Sequence, residues 1–196
     1  TQNYSAEAMQ EELRKTGSSI NIYANRTSTV VSINTLKKNL DRTLELAQEK
    51  LLRPGFKQID FDRVIKQQME GIKASQQDPS AIAGQVFDRL LYGDEHIYSV
   101  PTSGIEETVA NITLDDVKAF YNKYYSPNLG ELVIVGDVDQ KEILPKLGFL
   151  KSWPNKKVTL PTLPPAKPGD KTKIYLVDKP NAPQSQIRVG YMTDLK

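Results

Sequence analysis

The one histidine of the chain, His96, lies in the run Gly93-Asp94-Glu95-His96-Ile97-Tyr98, next to two carboxylates. Imidazole and carboxylate groups can bind a metal ion or transfer protons. Adjacent residues of one loop rarely converge on a single ion, however, and a zinc site usually takes two or more His or Cys ligands. We therefore interpret His96 as a structural or solvated residue.

Other kinds of catalytic site lack their signatures. The absence of Cys excludes disulfides, thiolate metal sites and a Cys nucleophile. No G-x-S-x-G elbow occurs, and a single His leaves little for a catalytic triad. Gly136-Asp137-Val138 lacks the glycine spacing and the Lys of a phosphate-binding loop, so it predicts a plain strand-to-helix turn. Tyr121, Tyr124 and Tyr125 have helical spacing and indicate core and rim packing.

Length and composition indicate an ordinary globular protein. The 196 residues suit one domain, or one domain with the opening of another. The net charge of +2 comes without a basic stripe, which argues against a nucleic-acid partner. The sequence contains no run of 18 or more apolar residues, so no membrane span is predicted. Thr1–Ser5 has no signal-peptide pattern. The chain starts without Met at a helix cap, which suggests a fragment of something longer.

The first part of the chain predicts a helix followed by a hairpin. Ser5 is a candidate N-cap, and Gly17 is a candidate stop for that helix. Apolar and polar residues then alternate over 20–23 and 29–33, the period of half-buried strands. Asn25-Arg26 is the predicted turn between them.

A block of helices is predicted next, with breaks at Pro54-Gly55 and Asp78-Pro79 and a capping pair at Thr113 and Asp116. Three of these helices have apolar faces at helical spacing. Their members are Leu36, Leu40, Leu44, Ala47 and Leu51; Phe61, Ile65, Met69 and Ile72; and Ile82, Val86, Leu90 and Leu91.

The remainder predicts a strand, a helix and a linker. Glu131–Gly136 has the apolar run of a buried central strand, and a helix is predicted over 141–150. Five prolines within 154–171 rule out a helix or a central strand there, so this span is a predicted linker. Runs at 173–177 and 185–190 predict two further strands. The expected fold class is α+β, a mainly antiparallel sheet with helices packed on one face.

The ordered series of local motifs resembles the pitrilysin/insulinase-type (inverzincin) zinc metallopeptidases over essentially the whole chain. The segments that carry this resemblance are Thr1–Glu7, Gly17–Asn21, Leu51–Pro54 with Phe56, Phe61–Arg63, Leu91–His96, Tyr121–Pro127 and Val133–Val138. The resemblance implies the α+β architecture of a peptidase lobe. It divides the chain into residues 1–153, an α/β unit without its N-terminal strands and zinc helix, the linker 154–171, and 172–196, the opening strands of a second unit.

The same resemblance implies that the zinc chemistry is missing from this chain. In the family an H-x-x-E-H helix supplies two His ligands and a general base, and a later helix supplies a Glu ligand. In the family that Glu lies ten residues after a Phe that corresponds to Phe61 here, and another acidic residue lies seven residues before the Glu. These positions are Gly71 and Val64 here, and neither binds zinc. Glu70 is one residue off, which turns its side chain away by about 100° on a helix. We therefore assign no catalytic and no metal residue.

The resemblance implies a non-catalytic lobe that pairs with a zinc-bearing catalytic lobe, in the same or another chain, around a peptide. It implies no cofactor in this chain, zinc in the partner lobe, and a bacterial periplasmic or secreted location. In active members an edge strand pairs with the substrate backbone. The matching stretch is residues 20–24, and our substrate-binding prediction is its centre, Asn21, Ile22 and Tyr23.

Two alternatives stay open at this point. The chain could belong to an active zinc metalloendopeptidase whose H-x-x-E-H helix precedes Thr1, with Glu70 reaching the metal. It could instead be a structural scaffold subunit without a peptidase partner. The upstream sequence tests the first alternative, and co-purification with a zinc-bearing lobe tests the second.

Overall fold

A computed structural model describes residues 1–163, 165–166, 169 and 171–192. Short 3-10 turns lie at Lys37–Asn39, Ile97–Ser99, Pro127–Leu129 and Gly148–Ser152. The helices and strands of the described residues are α1 (Ala6–Thr16), β1 (Ser19–Ala24), β2 (Thr29–Asn34), α2 (Leu40–Leu52), α3 (Gln58–Ser75), α4 (Pro79–Tyr92), α5 (Glu106–Val109), α6 (Leu114–Tyr124) and α7 (Gln140–Lys146).

The chain divides into two compact units. The first comprises Thr1–Phe61 and Thr113–Leu160, and the second comprises Asp62–Ile112 with the described residues of Pro161–Lys196. Helices predominate, and the sheet is the antiparallel pair β1–β2, so the predicted α+β class is confirmed. No helix of the described residues is both long and apolar enough to cross a membrane.

Helix α1 begins and ends where the sequence predicts. The Ser5 hydroxyl accepts the Ala8 N–H at 3.1 Å, a side-chain N-cap. Gly17 has a φ of 59°, the left-handed conformation that glycine adopts without a Cβ penalty. Between these caps, Met9 and Leu13 are buried on one face. That face forms a core with Ile20, Leu46 and Ala47, against which Tyr4 and Val31 pack.

The β1–β2 hairpin closes on Asn25. Its side-chain carbonyl accepts the backbone N–H groups of Thr27 and Ser28 at 2.9 and 2.7 Å, and its own N–H donates to the Ser28 carbonyl at 2.9 Å. Asn side chains often fold turns in this way because they mimic a backbone acceptor. The resulting register pairs Ile22 with Val31, which confirms the predicted turn.

Three hydroxyl groups join the base of the hairpin to α2. Ser18, Thr35 and Thr43 lie within 2.8–2.9 Å of one another, oxygen to oxygen. Thr43 is fully buried and also donates to the Asn39 carbonyl at 2.8 Å. This hydroxyl triangle satisfies polar groups that burial would otherwise leave without water.

Arg42 links α1 to α2. Its guanidinium donates to Glu12 at 2.5 Å, to Glu45 at 2.8 Å and to the Tyr4 hydroxyl at 3.1 Å. The hydrogen bond from Arg42 makes the largest contribution to lowering the pKa of the Glu12 carboxyl below its ordinary value, and the hydrogen bond from Lys15 makes the next largest. The charge-assisted contacts therefore favour ionised Glu12 in the folded state.

The second unit is built around α4. Asp78 caps this helix by accepting the Ser80 N–H at 2.9 Å, with Pro79 at the first helical position, as predicted. Arg188 donates to the Ser80 hydroxyl at 2.9 Å. Gly190 packs so closely on the Phe87 ring that an added Cβ would lie 2.7 Å from a ring carbon. These contacts hold the last described segment against the helix.

Three predicted strands are not formed. Residues 131–136, 173–177 and 185–190 are not part of a paired strand, and Val135 and Leu176 are 92% and 96% exposed. A strand exists only when its N–H and C=O groups pair with another strand. Within the described part of the chain no strand pairs with these segments, so their apolar patterns do not produce strands here.

Replacing Thr43 by Val should destabilise the first unit by about 1–3 kcal/mol, because the Ser18 and Thr35 hydroxyls then lose a buried partner. Urea unfolding followed by circular dichroism measures the free energy of unfolding. Thr29→Val is the matched control, since Thr29 is exposed at the start of β2. It should change the free energy by less than about 0.5 kcal/mol. Equal effects of the two substitutions would mean that the hydroxyl triangle contributes nothing.

The pH dependence of stability should contain a contribution from Glu12. Its folded-state pKa is lowered, so its contribution is present above the unfolded-state pKa and is lost as pH falls through the folded-state value. Urea unfolding between neutral and acidic pH should therefore show a shallower loss of stability for Glu12→Gln than for the unmodified chain. Glu11→Gln, which removes an exposed ion pair with Arg14, serves as the control. Parallel curves for all three proteins would contradict this role.

Candidate functional site

One backbone edge of β1 faces away from β2. In an antiparallel pair, residues alternate between those bonded to the partner strand and those whose N–H and C=O point outward. The Asn25–Ser28 hydrogen bond fixes this alternation, so Asn21 and Tyr23 bond to β2. Ile20, Ile22 and Ala24 consequently direct their backbone groups to the outer edge.

The three predicted substrate-binding residues thus lie together on β1 but present different groups. Ile22 offers its backbone N–H and C=O at the outer edge, and its residue surface is 41% exposed. Asn21 and Tyr23 use their backbone groups within the hairpin and offer side chains instead, with Tyr23 55% exposed. Binding of a peptide there stays a prediction, since it rests on geometry alone.

Lys50 of α2 lies at the start of this edge. The sequence patterns above did not identify it as a candidate site residue. Its ammonium donates to the Ile20 carbonyl at 2.9 Å. Partial burial lowers the pKa of Lys50, because a charged ammonium is less stable away from water. Its spacing from apolar residues of α2 was the signal that could have identified it. Lys50 follows buried Leu46 and Ala47 by four and three residues, which places it on the core-facing side of the helix.

The positions at which the resemblance implies acidic residues lie on α3. Val64 and Gly71 are seven residues apart, hence on one face of the helix, and both are exposed. A Cβ on Gly71 would meet no atom within 4 Å. Packing therefore does not demand glycine, and the loss of the acidic side chain is not a steric requirement. Glu70 is exposed one position away.

His96 has a structural role. Its ring contacts the rings of Tyr92 and Tyr98, with centroids 5.1 and 5.3 Å away, and the two tyrosine rings contact each other at 5.2 Å. The His96 Nδ1 accepts the Tyr98 N–H at 3.2 Å. Asp94 pairs instead with Arg89 at 2.5 Å, and Glu95 is exposed. Among the described residues no group of three His, Cys, Asp or Glu could hold a metal ion. The interpretation of His96 as structural agrees with this geometry.

An open cleft of about 480 Å³ in the first unit is lined by Phe56, Tyr121, Tyr125 and Trp153. Two of the polar groups on its aromatic side chains have partners in the fold. The Tyr121 hydroxyl donates to the Leu51 carbonyl at 2.7 Å, and the Trp153 indole N–H donates to the Tyr125 carbonyl at 3.2 Å. The Tyr121 hydrogen bond joins α6 to the end of α2, in line with the predicted packing role of these tyrosines.

Comparison with protein families gives two matches along the chain. Residues 1–93 match the family described as Insulinase (Peptidase family M16), and residues 111–194 match the Peptidase M16 inactive domain.

Similar proteins and solved structures agree with these matches. The zinc protease PqqE of Helicobacter pylori is 25% identical over 97% of this chain and 44% of its own length, and the probable zinc protease PqqL of Escherichia coli is 26% identical over 65% and 14%. The crystal structure of a peptidase M16 inactive domain from Pseudomonas fluorescens superposes with a TM-score of 0.75 at 23% identity, over 85% of this chain and 40% of that one. The chain thus spans less than half the length of these relatives.

We expect the metal-stripped chain to have no tight, stoichiometric zinc site, because such a site requires three or four convergent ligands. Isothermal titration calorimetry gives the affinity and the stoichiometry. A stoichiometric site with a dissociation constant below about 1 μM, worth about −8 kcal/mol, would contradict the absence of a zinc site. In that case Glu70→Gln, compared with exposed Glu95→Gln, would show whether Glu70 supplies a ligand.

Proposed function

This chain belongs to the insulinase-type peptidase family M16, and from that premise we propose that it acts as a non-catalytic lobe that helps a zinc-bearing lobe enclose a peptide. The observation that carries the proposal is the pair Val64 and Gly71 on α3. A lobe with an aliphatic side chain and a glycine at these positions cannot supply the acidic ligand that the resemblance calls for. The match of residues 111–194 to the M16 inactive domain supports this assignment.

Zinc would then be held by the partner lobe, in the same or another chain. The named relatives are zinc proteases, and one similar solved structure is the first half of a periplasmic protease of Escherichia coli, which superposes with a TM-score of 0.63. Such halves support pairing between lobes and a periplasmic or secreted location. The division into 1–153, a linker at 154–171 and a second unit from 172 stays a prediction.

The edge of β1 is the surface through which this lobe would contact peptide. An extended peptide that adds a strand to a sheet gains main-chain hydrogen bonds, and alternate side chains supply specificity. Ile22 presents both a donor and an acceptor for such a strand. Tyr23 and Asn21 flank it with exposed side chains that a peptide could contact. The lobe would hold and orient peptide without performing the cleavage.

Ile22→Pro should weaken peptide binding at least about fivefold, because it removes one outward N–H, worth about 1 kcal/mol. Proline is tolerated on edge strands where the N–H faces outward, so the hairpin should persist. The measurement is fluorescence anisotropy with a fluorescein-labelled hexapeptide of alternating Val and Thr that ends in a free carboxylate.

Ile22→Ala is the matched control, since it shortens the same side chain but keeps the N–H. Circular dichroism and thermal unfolding should show both variants folded. Unchanged affinity for Ile22→Pro would remove β1 as the binding edge. Absence of peptide binding to the unmodified chain would argue for the scaffold alternative, and hydrolysis of the peptide by the chain alone would argue for an active peptidase.

A further inference from the structure

The Lys50 ammonium at the start of the β1 edge has fewer partners than it has donors. An ammonium carries three N–H groups. One donates to the Ile20 carbonyl at 2.9 Å, and no carboxylate of the described residues forms an ion pair with it. A partly buried positive charge without a counter-ion is costly, because burial disfavours the charged form. The position is therefore suited to an anion supplied from outside the fold.

The neighbouring carboxylate is not available to Lys50. Glu49 is 7% exposed and accepts two hydrogen bonds from the Asn3 amide at 2.9 and 3.1 Å. It also pairs with Arg53, one helical turn further along. The helix therefore satisfies its buried negative charge, whereas the adjacent positive charge has the Ile20 carbonyl as its partner among the described residues.

The accessible edge of β1 stops at this lysine. Ile20 is 3% exposed, and Lys50 occupies its outward carbonyl, whereas Ile22 and Ala24 are exposed. A peptide strand added along β1 can pair with Ala24 and Ile22 and then must end or turn at Lys50. The distance from Ala24 to Ile20 is about 13 Å, four residues at about 3.3 Å each.

We propose that Lys50 binds a carboxylate of an extended peptide that adds antiparallel to β1, at the end of the added strand. An antiparallel strand runs from Ala24 towards Ile20, so its C-terminus reaches the ammonium. The carboxylate is either that C-terminus or an acidic side chain at the same place, since both offer the same oxygen acceptors. This inference rests on the proposed peptide-binding function and adds a charge preference to it.

The test compares three hexapeptides of alternating Val and Thr by fluorescence anisotropy. One ends in a free carboxylate, the second in an amide, and the third in an amide with Glu as its last residue. The unmodified chain should bind the first about tenfold more tightly than the second, the effect of one charge-assisted hydrogen bond of about 1.4 kcal/mol. Comparable gain with the third peptide identifies a side-chain carboxylate as an equally good ligand.

Lys50→Met should abolish the difference between the first two peptides, and Lys50→Arg should retain most of it. Lys38→Met, which removes an exposed lysine of the same unit, is the control and should retain it fully. Thermal unfolding of each variant reports whether the fold is intact. Equal binding of carboxylate and amide peptides to the unmodified chain would overturn the role of Lys50 and leave the proposed function standing. Failure of all three peptides to bind would overturn both.

Discussion

The burial of Ile20 of β1 against α1 and α2 is the interaction on which the first unit depends. A two-stranded hairpin in water is marginally stable by itself, so it needs apolar packing from neighbouring helices. Ile20 supplies that packing on the strand side, and Met9, Leu13, Leu46 and Ala47 supply it on the helix side. The hydroxyl triangle and Arg42 add polar contacts at the ends of the same contact surface.

This packing also determines what the hairpin can offer to another molecule. The packing covers Ile20, whereas the side chains from Asn21 to Ala24 are exposed. The outer backbone edge has no partner strand in the described part of the chain. Natural edge strands are usually short or charged, because an open edge invites further pairing. Here the edge is six residues long, and a lysine stands at its start. Lys50 therefore limits strand pairing at the Ile20 end of β1, and the rest of the edge stays open to pairing.

Local signals could be predicted from the sequence, and non-local ones could not. Ser5, Gly17, Asp78 and the pair Thr113 and Asp116 act on the backbone within a few residues, and the structure has all of these caps. The strand patterns at 131–136 and 173–177 depended on partners elsewhere, which the described residues do not provide. The same reason explains why the position of Lys50 at the β1 edge could not be predicted. Its proximity to Ile20 joins residues thirty positions apart, and only the helical face of α2 hinted at it.

The residues that would perform zinc chemistry and those that would hold peptide lie on different elements. Val64 and Gly71 belong to α3, whereas the contacts that fix β1 come from α1, α2 and β2. The buried residues that pack on Ile20 lie on α1 and α2, and Gly71 has open space beside it. Under the proposed function, the absence of acidic side chains at these two positions would remove metal ligands and leave the core around Ile20 as it is. In the proposed function, a lobe without acidic residues at these positions would still keep the β1 edge along which a peptide extends.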